Sequence, residues 1–224
     1  MAISKVTELK QAIKKLSTWE TTDNAFGYIK KEGGRKLSYI YEFYCAMRIL
    51  KDLSKNHSIV FIPGKGATQF CFPKAPSKKA NYASFLLHDG KGNPLFQVTL
   101  GTEISISSSP KTTYAADISF QLHNAPDDPD ETHVVLIFDS KYKTKNSTTL
   151  DISIIREFAK CVQDMATPKS VKSKLVFDKL TDLNANCLIT NGMTADDHEQ
   201  YCKNHKLVQV GEFNWDRKKY NIIG

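Results

Sequence analysis

The chain has 224 residues, 41% of them hydrophobic, and carries 31 Lys and Arg against 24 Asp and Glu for a net charge of +7. It is long enough for one large domain with a real core, and no stretch approaches the roughly 18 apolar residues of a membrane span. The start, "MAISKVTELKQAIKKL", is charged throughout and lacks the apolar segment of a secretory signal.

The five cysteines, at positions 45, 71, 161, 187 and 202, form no Cys-x-x-Cys pair, and the six histidines show no ligand spacing. Neither a disulfide framework nor a zinc site is indicated, so the expectation is a reduced, cytoplasmic protein with no membrane partner. The positive charge favours a polyanionic partner. Lysines cluster in "SKYKTKN", "PKSVKSK" and "DRKKY".

In chain order, residues 1–17 read as a polar amphipathic helix, part of an N-terminal helical extension over 1–37, with "KKEGGRK" as a turn. The main domain is expected over 38–224. Its first element is a helix at 38–53, "SYIYEFYCAMRILKDL", followed by the turn-rich "PGKGATQ" and strand-like "TQFCF" and "YASFLLH". "PGKGAT" is no phosphate loop, because Gly64 directly precedes Lys65 and the Gly-x-x-x-x-Gly-Lys-Ser/Thr spacing is absent. "DGKGNP" signals a hairpin. "LFQVTLGTEISIS" reads as one long strand bent or bulged at Gly101.

Two strands, "ISFQL" and "HVVLIF", flank an acidic turn. Residues 150–166 read as a helix ended by Pro168, "ANCLITNG" as a buried strand, and "TADDHEQYCKNH" as a helix with Thr194 as N-cap. "KLVQV" is expected as the closing strand. Hairpins first and crossovers later predict an α/β (α+β) fold: a central mixed β-sheet flanked by helices.

Three carboxylates stand in unusual places. On a wheel for residues 38–53, Tyr41, Tyr44, Arg48, Lys51 and Asp52 gather on one side, while Glu42 falls inside the apolar arc, between Ile49 and Leu53. An ionised carboxylate there costs several kcal/mol unless it is paired or bound to a metal. Asp117 opens one strand, and Asp139 and Lys141 end the next on a common face, with Ser140 opposite. Pairing through the turn sets residue 120 opposite 136, and hence 117 opposite 139, with side chains ~5 Å apart. Two acids that close need a cation between them, and oxygen ligands suit Mg²⁺ rather than zinc. The bland alternative is an ordinary strand-end ion pair between Asp139 and Lys141.

This constellation resembles the PD-(D/E)XK nuclease superfamily, with its restriction-endonuclease-like core. The phrases "YEFYCAMRILKDL" and "IFDSKYK" are most similar to the nuclease parts of modification-dependent restriction systems, and the likeness spans roughly residues 38–210. Residue by residue, Glu42 matches the helix acid, Asp117 the aspartate of "PD", and Asp139 and Lys141 the "(D/E)XK" pair, although Ala116 stands where the family name has proline.

The resemblance implies a Mg²⁺-dependent endonuclease, with Mn²⁺ as a substitute, acting on DNA, in particular double-stranded DNA, in restriction or another defence role. Metal ligands would be Asp117, Asp139, the carbonyl of Ser140 and Glu42, with Lys141 activating water. Gln163, on the following helix beside Arg156 and Lys160, is a supporting catalytic candidate. Lys143, Lys145, Arg156, Lys172 and Lys174 are candidate nucleic-acid contacts, and Glu103 is a spare acid. Two alternatives stay open, a binding module of the same fold whose acidic site is structural, and a related nuclease cutting RNA. A homodimer or a partner subunit of a defence system is left open.

Overall fold

The computed structural model describes residues 4–16, 37–65, 72–73, 75–165, 174–217 and 219–224. The turn expected at 30–36, nearly all of the strand expected at 68–72, Pro168 and Lys172 lie outside the described residues. Two helices come first, α1 (Lys5–Leu16) and α2 (Leu37–Leu53). Strands follow: β1 (Ser58–Ile62), β2 (Ser84–His88), β3 (Pro94–Leu100), β4 (Ile104–Ile106), β5 (Ser109–Tyr114), β6 (Ile118–Leu122) and β7 (Val134–Lys141). The chain continues through α3 (Ile152–Asp164), β8 (Asn186–Thr190), α4 (Glu199–His205), β9 (Leu207–Gly211) and β10 (Asn221–Ile223).

Eight strands form one mixed sheet in the order β1-β2-β3-β6-β7-β8-β9-β10, and β4 and β5 make a separate hairpin. The first half is antiparallel through to β7; a short turn joins β2 to β3, and the β4–β5 hairpin lies in the connection from β3 to β6. The β2–β3 turn is built on Asp89, whose carboxylate accepts from the Lys91 and Asn93 N–H groups. From β7 to β9 the pairing is parallel, and α3 and α4 lie in the connections, as crossovers require. Among the described residues no helix is long and apolar enough to cross a membrane.

Alternation along the strands splits the core in two. Phe120, Phe138 and Ile189 join one cluster with α1 and α2. Ile137 and Leu188 join another with α3, α4 and the β4–β5 hairpin. The sheet is thus covered by helices on both faces. Leu9 and Ile13 of α1, four residues apart on one helix face, enter the same cluster as α2.

The structure corrects the sequence reading in several places. Tyr41 and Tyr44 are buried rather than on a polar face of α2, because α1 and the segment at 213–215 cover that side. Each tyrosine satisfies its hydroxyl on a carbonyl, Tyr41 on Phe213 O and Tyr44 on Asn214 O, which makes burial tolerable. The strand expected over 95–107 is two strands in different sheets. Gly101 adopts φ +58°, and a Cβ there would sit 3.2 Å from the Pro73 ring, so the chain turns out of the large sheet after Leu100. Thr194 caps no helix: a single 3₁₀ turn at Asp196–His198 precedes α4, its N-cap position is Ala195, and the Thr194 hydroxyl donates to Asp196. Finally, β10 closes the sheet beyond β9.

Candidate functional site

The β6–β7 register brings the acids together. Phe120 lies opposite Leu136 and Ile118 opposite Phe138, which leaves Asp117 and Asp139 adjacent at the end of the pair. Asp139 Oδ2 accepts from the Lys141 ammonium at 2.6 Å, with the two side chains 14% and 36% exposed. Asp117 Oδ2 accepts from both Ser140 N (2.6 Å) and Ser140 Oγ (3.0 Å). Ser140 therefore orients Asp117 through its N–H and hydroxyl, a role distinct from the carbonyl ligand expected of it.

Burial first, then Asp139 and Glu42, hold the Asp117 carboxyl well above the usual carboxylate range, with Lys141 opposing. Glu42 is pushed up to about 7, chiefly by burial and further by Asp139, with Lys141 opposing. Burial by itself would lower the Lys141 ammonium, but Asp139, Asp117 and Glu42 together raise it. Three carboxylates thus surround one ammonium, and the excess of negative charge favours the protonated form of the buried acids.

Glu42 enters from the first half of α2. It and Asp117 line a cavity of about 20 Å³ with Phe43, Phe72, Pro73 and Leu100. That is room for roughly one water-sized occupant. Among the described residues no three His, Cys, Asp or Glu side chains gather at metal-holding distance. A metal here would rest on Asp117 and Asp139, with Glu42 reaching it through water and the remaining positions filled by water or carbonyl oxygen. Hard cations that keep several waters accept such a set.

Two neighbours escaped the sequence reading. Tyr114 and Cys161 are hydrogen-bonded to each other beside the acids, and burial, then Asp139, push the Tyr114 hydroxyl far up. Cys161 is raised to about 11, mainly by burial. The signal available was the position of Tyr114, three residues before Asp117 on the strand leading to it.

Among the described residues, no hydrogen bond or ion pair joins the other expected residues to the acids. Gln163 is exposed and its amide meets His205 Nδ1 at 2.8 Å, which ties α3 to α4. Arg156 is exposed on α3. Lys174 lies in the segment whose Val176 N–H donates to His57 just past the C-terminal end of α2, roughly 16 Å along the helix from Glu42. Glu103 follows the point where the chain leaves the large sheet, its N–H bonded to Ser77 O.

Lys143 and Lys145 do follow the site directly. Asn191, fully buried, clamps their loop: its Oδ1 accepts from Lys143 N (2.6 Å), and its Nδ2 donates to Lys143 O (2.8 Å) and Asn146 Oδ1 (3.1 Å). A Cβ on Gly192 would fall 2.2 Å from Thr148 O, so only glycine permits this approach.

Compared with protein-family models, curated proteins and solved structures, the chain matches none of them.

Proposed function

We propose that the chain is a Mg²⁺-dependent nuclease of the PD-(D/E)XK type, with a restriction-endonuclease-like core, that hydrolyses phosphodiester bonds of DNA. The observation that supports this reading is the convergence of Asp117, Asp139 and Lys141 at one sheet end, with Glu42 approaching from α2. A divalent cation bound there supplies Lewis acidity to a phosphoryl oxygen and lowers the pKa of water. Asp117 and Asp139 would hold that cation. Ser140 fixes the Asp117 rotamer through two donors. The Lys141 ammonium, raised and therefore charged at neutral pH, orients the attacking water and offsets negative charge growing on phosphorus.

One observation favours a second reading, a nucleic-acid-binding module whose acidic site is structural. Asp139 is already paired with Lys141, and Asp117 is already held by Ser140. Incubation of plasmid DNA with Mg²⁺ or Mn²⁺ separates the two. The nuclease cuts, EDTA stops it, and Asp117→Ala, Asp139→Ala and Lys141→Ala each abolish cutting while staying folded. Equal cutting by wild type and all three variants defeats the nuclease reading.

A further inference from the structure

A cleft of about 900 Å³ opens between α1, α2 and the segment around Trp215 and Tyr220, and it shares no lining residue with the carboxylate site. Its volume lies in the range of sites for small organic ligands. Arg48 stands in its wall in an unusual state. Its Nη1 donates to Tyr44 Oη (3.1 Å) and Asn214 O (2.9 Å), and its guanidinium carbon sits 3.9 Å from the centre of the Phe213 ring. Among the described residues no carboxylate pairs with it, and Nε and Nη2 have no hydrogen-bond partner. A guanidinium seated on a ring, with one edge unspent, is a preorganised receptor for a phosphate or carboxylate.

Two acids of the lining are already engaged by other lining residues. Asp52 accepts from the N–H groups of Asp178, Lys179 and Leu180, and Glu8 accepts from Trp215 Nε1. Asp178 and Asp216 are exposed at the rim. Exposed Lys15 and Lys55 add positive charge to the same wall. Two aromatic rings are also held in position: the Trp215 indole by Glu8, and Tyr220 by its hydroxyl on Lys179 O and Asp182. Fixed ring faces beside a fixed cation suit a planar base attached to a phosphate.

The geometry points to a nucleotide-binding site here, with phosphate on Arg48 and the base against Trp215 or Tyr220. The nucleotide can come free in solution or as one unit of a single strand. This inference is independent of the nuclease reading, because it uses none of the same residues and its assay contains EDTA.

The chain has two tryptophans, so a Trp19→Phe background reports Trp215 fluorescence alone. Adenosine monophosphate, adenosine, inorganic phosphate and a short single-stranded oligodeoxynucleotide are titrated in turn. Saturable quenching is expected with the mononucleotide or the oligonucleotide, and much weaker responses with adenosine or phosphate alone. Tighter binding of the mononucleotide identifies a free ligand, and tighter binding of the oligonucleotide identifies a strand. Arg48→Gln is expected to weaken binding roughly ten- to hundredfold, the loss of charge-assisted hydrogen bonds. Because Arg48→Gln also removes the tie to Asn214 O, the exposed pair Lys15→Ala and Lys55→Ala is measured as well, with a severalfold loss expected. Absence of saturable quenching by both nucleotide probes overturns the proposal, as does unchanged affinity in folded Arg48→Gln.

Discussion

Strand β6 presents Ser119 and Gln121 to one side of the sheet, and Asp117 stands just before its first residue, yet these neighbouring polar positions solve opposite problems. At Gln121 and Ser119 the buried polar groups are neutral and mutually satisfied. Gln121 Nε2 donates to Thr99 and Ser119, and Lys79 donates to Ala125 O (2.7 Å), Gln97 and Gln121. Lys79 is buried, no carboxylate among the described residues lies at ion-pair distance from it, and burial lowers its pKa from the ordinary lysine value. Two strands away Lys141 is raised, because three carboxylates outweigh its burial. Burial alone therefore does not mark a functional lysine; the sign and number of its neighbours do. The Lys79 network is satisfied by uncharged acceptors, whereas the acidic end gathers three carboxylates around one ammonium.

That contrast is broken most severely at the acids. Asp117→Ala, Asp139→Ala or Lys141→Ala is expected to lower cleavage per folded molecule by roughly 10²–10⁴-fold, the size of a lost acid–base or electrostatic contribution. Plasmid nicking normalised to folded protein measures it. Lys79→Met should leave that rate unchanged, and a comparable loss there would erase the distinction between the two lysines.

The next effect is on stability. A carboxyl whose pKa is higher in the folded protein contributes stability that is complete below its unfolded value of 4.5 and lost as pH rises through about 7. Glu42→Gln cannot ionise, so in EDTA it should match wild type near pH 4 and exceed it by on the order of 2 kcal/mol near pH 8. Urea unfolding at both pH values checks the sign, and a variant less stable than wild type near pH 8 would show that Glu42 is compensated in the fold.

Lys79→Met strands Ala125 O and two glutamines, and should cost about 1–2 kcal/mol in the same unfolding assay with little dependence on pH near neutrality. A loss appearing only where carboxylates titrate would tie Lys79 to the acidic end after all.

The smallest effect concerns the loop past Lys141. Lys143→Glu with Lys145→Glu should weaken duplex binding without sequence preference and flatten the salt dependence by roughly one unit per lost phosphate contact. An unchanged slope across three salt concentrations would mark both side chains as merely solvated.

The acidic pair was legible because strand pairing is local. A short turn and a period of two were enough to set residue 120 opposite 136, and the buried face of Phe138 fixed which side Asp139 takes. The helices were less legible. The wheel for α2 placed Tyr41 and Tyr44 on a polar side, since a tyrosine reads as amphipathic until its hydroxyl finds a carbonyl, and Phe213 O and Asn214 O lie some 170 residues away. Distance in the chain also hid the true positions of Gln163 and Lys174, whose neighbours belong to α4 and to the end of α2. Ser140 was expected at the site for its carbonyl, and only the folded strand pair reveals that its N–H and hydroxyl aim Asp117.

The nuclease reading requires that Asp117 and Asp139 together bind a divalent cation. Calorimetric titration of the full chain with Mn²⁺, against the Asp117→Ala, Asp139→Ala double variant, tests it without a substrate. One saturable site in wild type that disappears in the folded double variant is the predicted result. No Mn²⁺ binding by wild type, or equal binding by both proteins, would contradict the account.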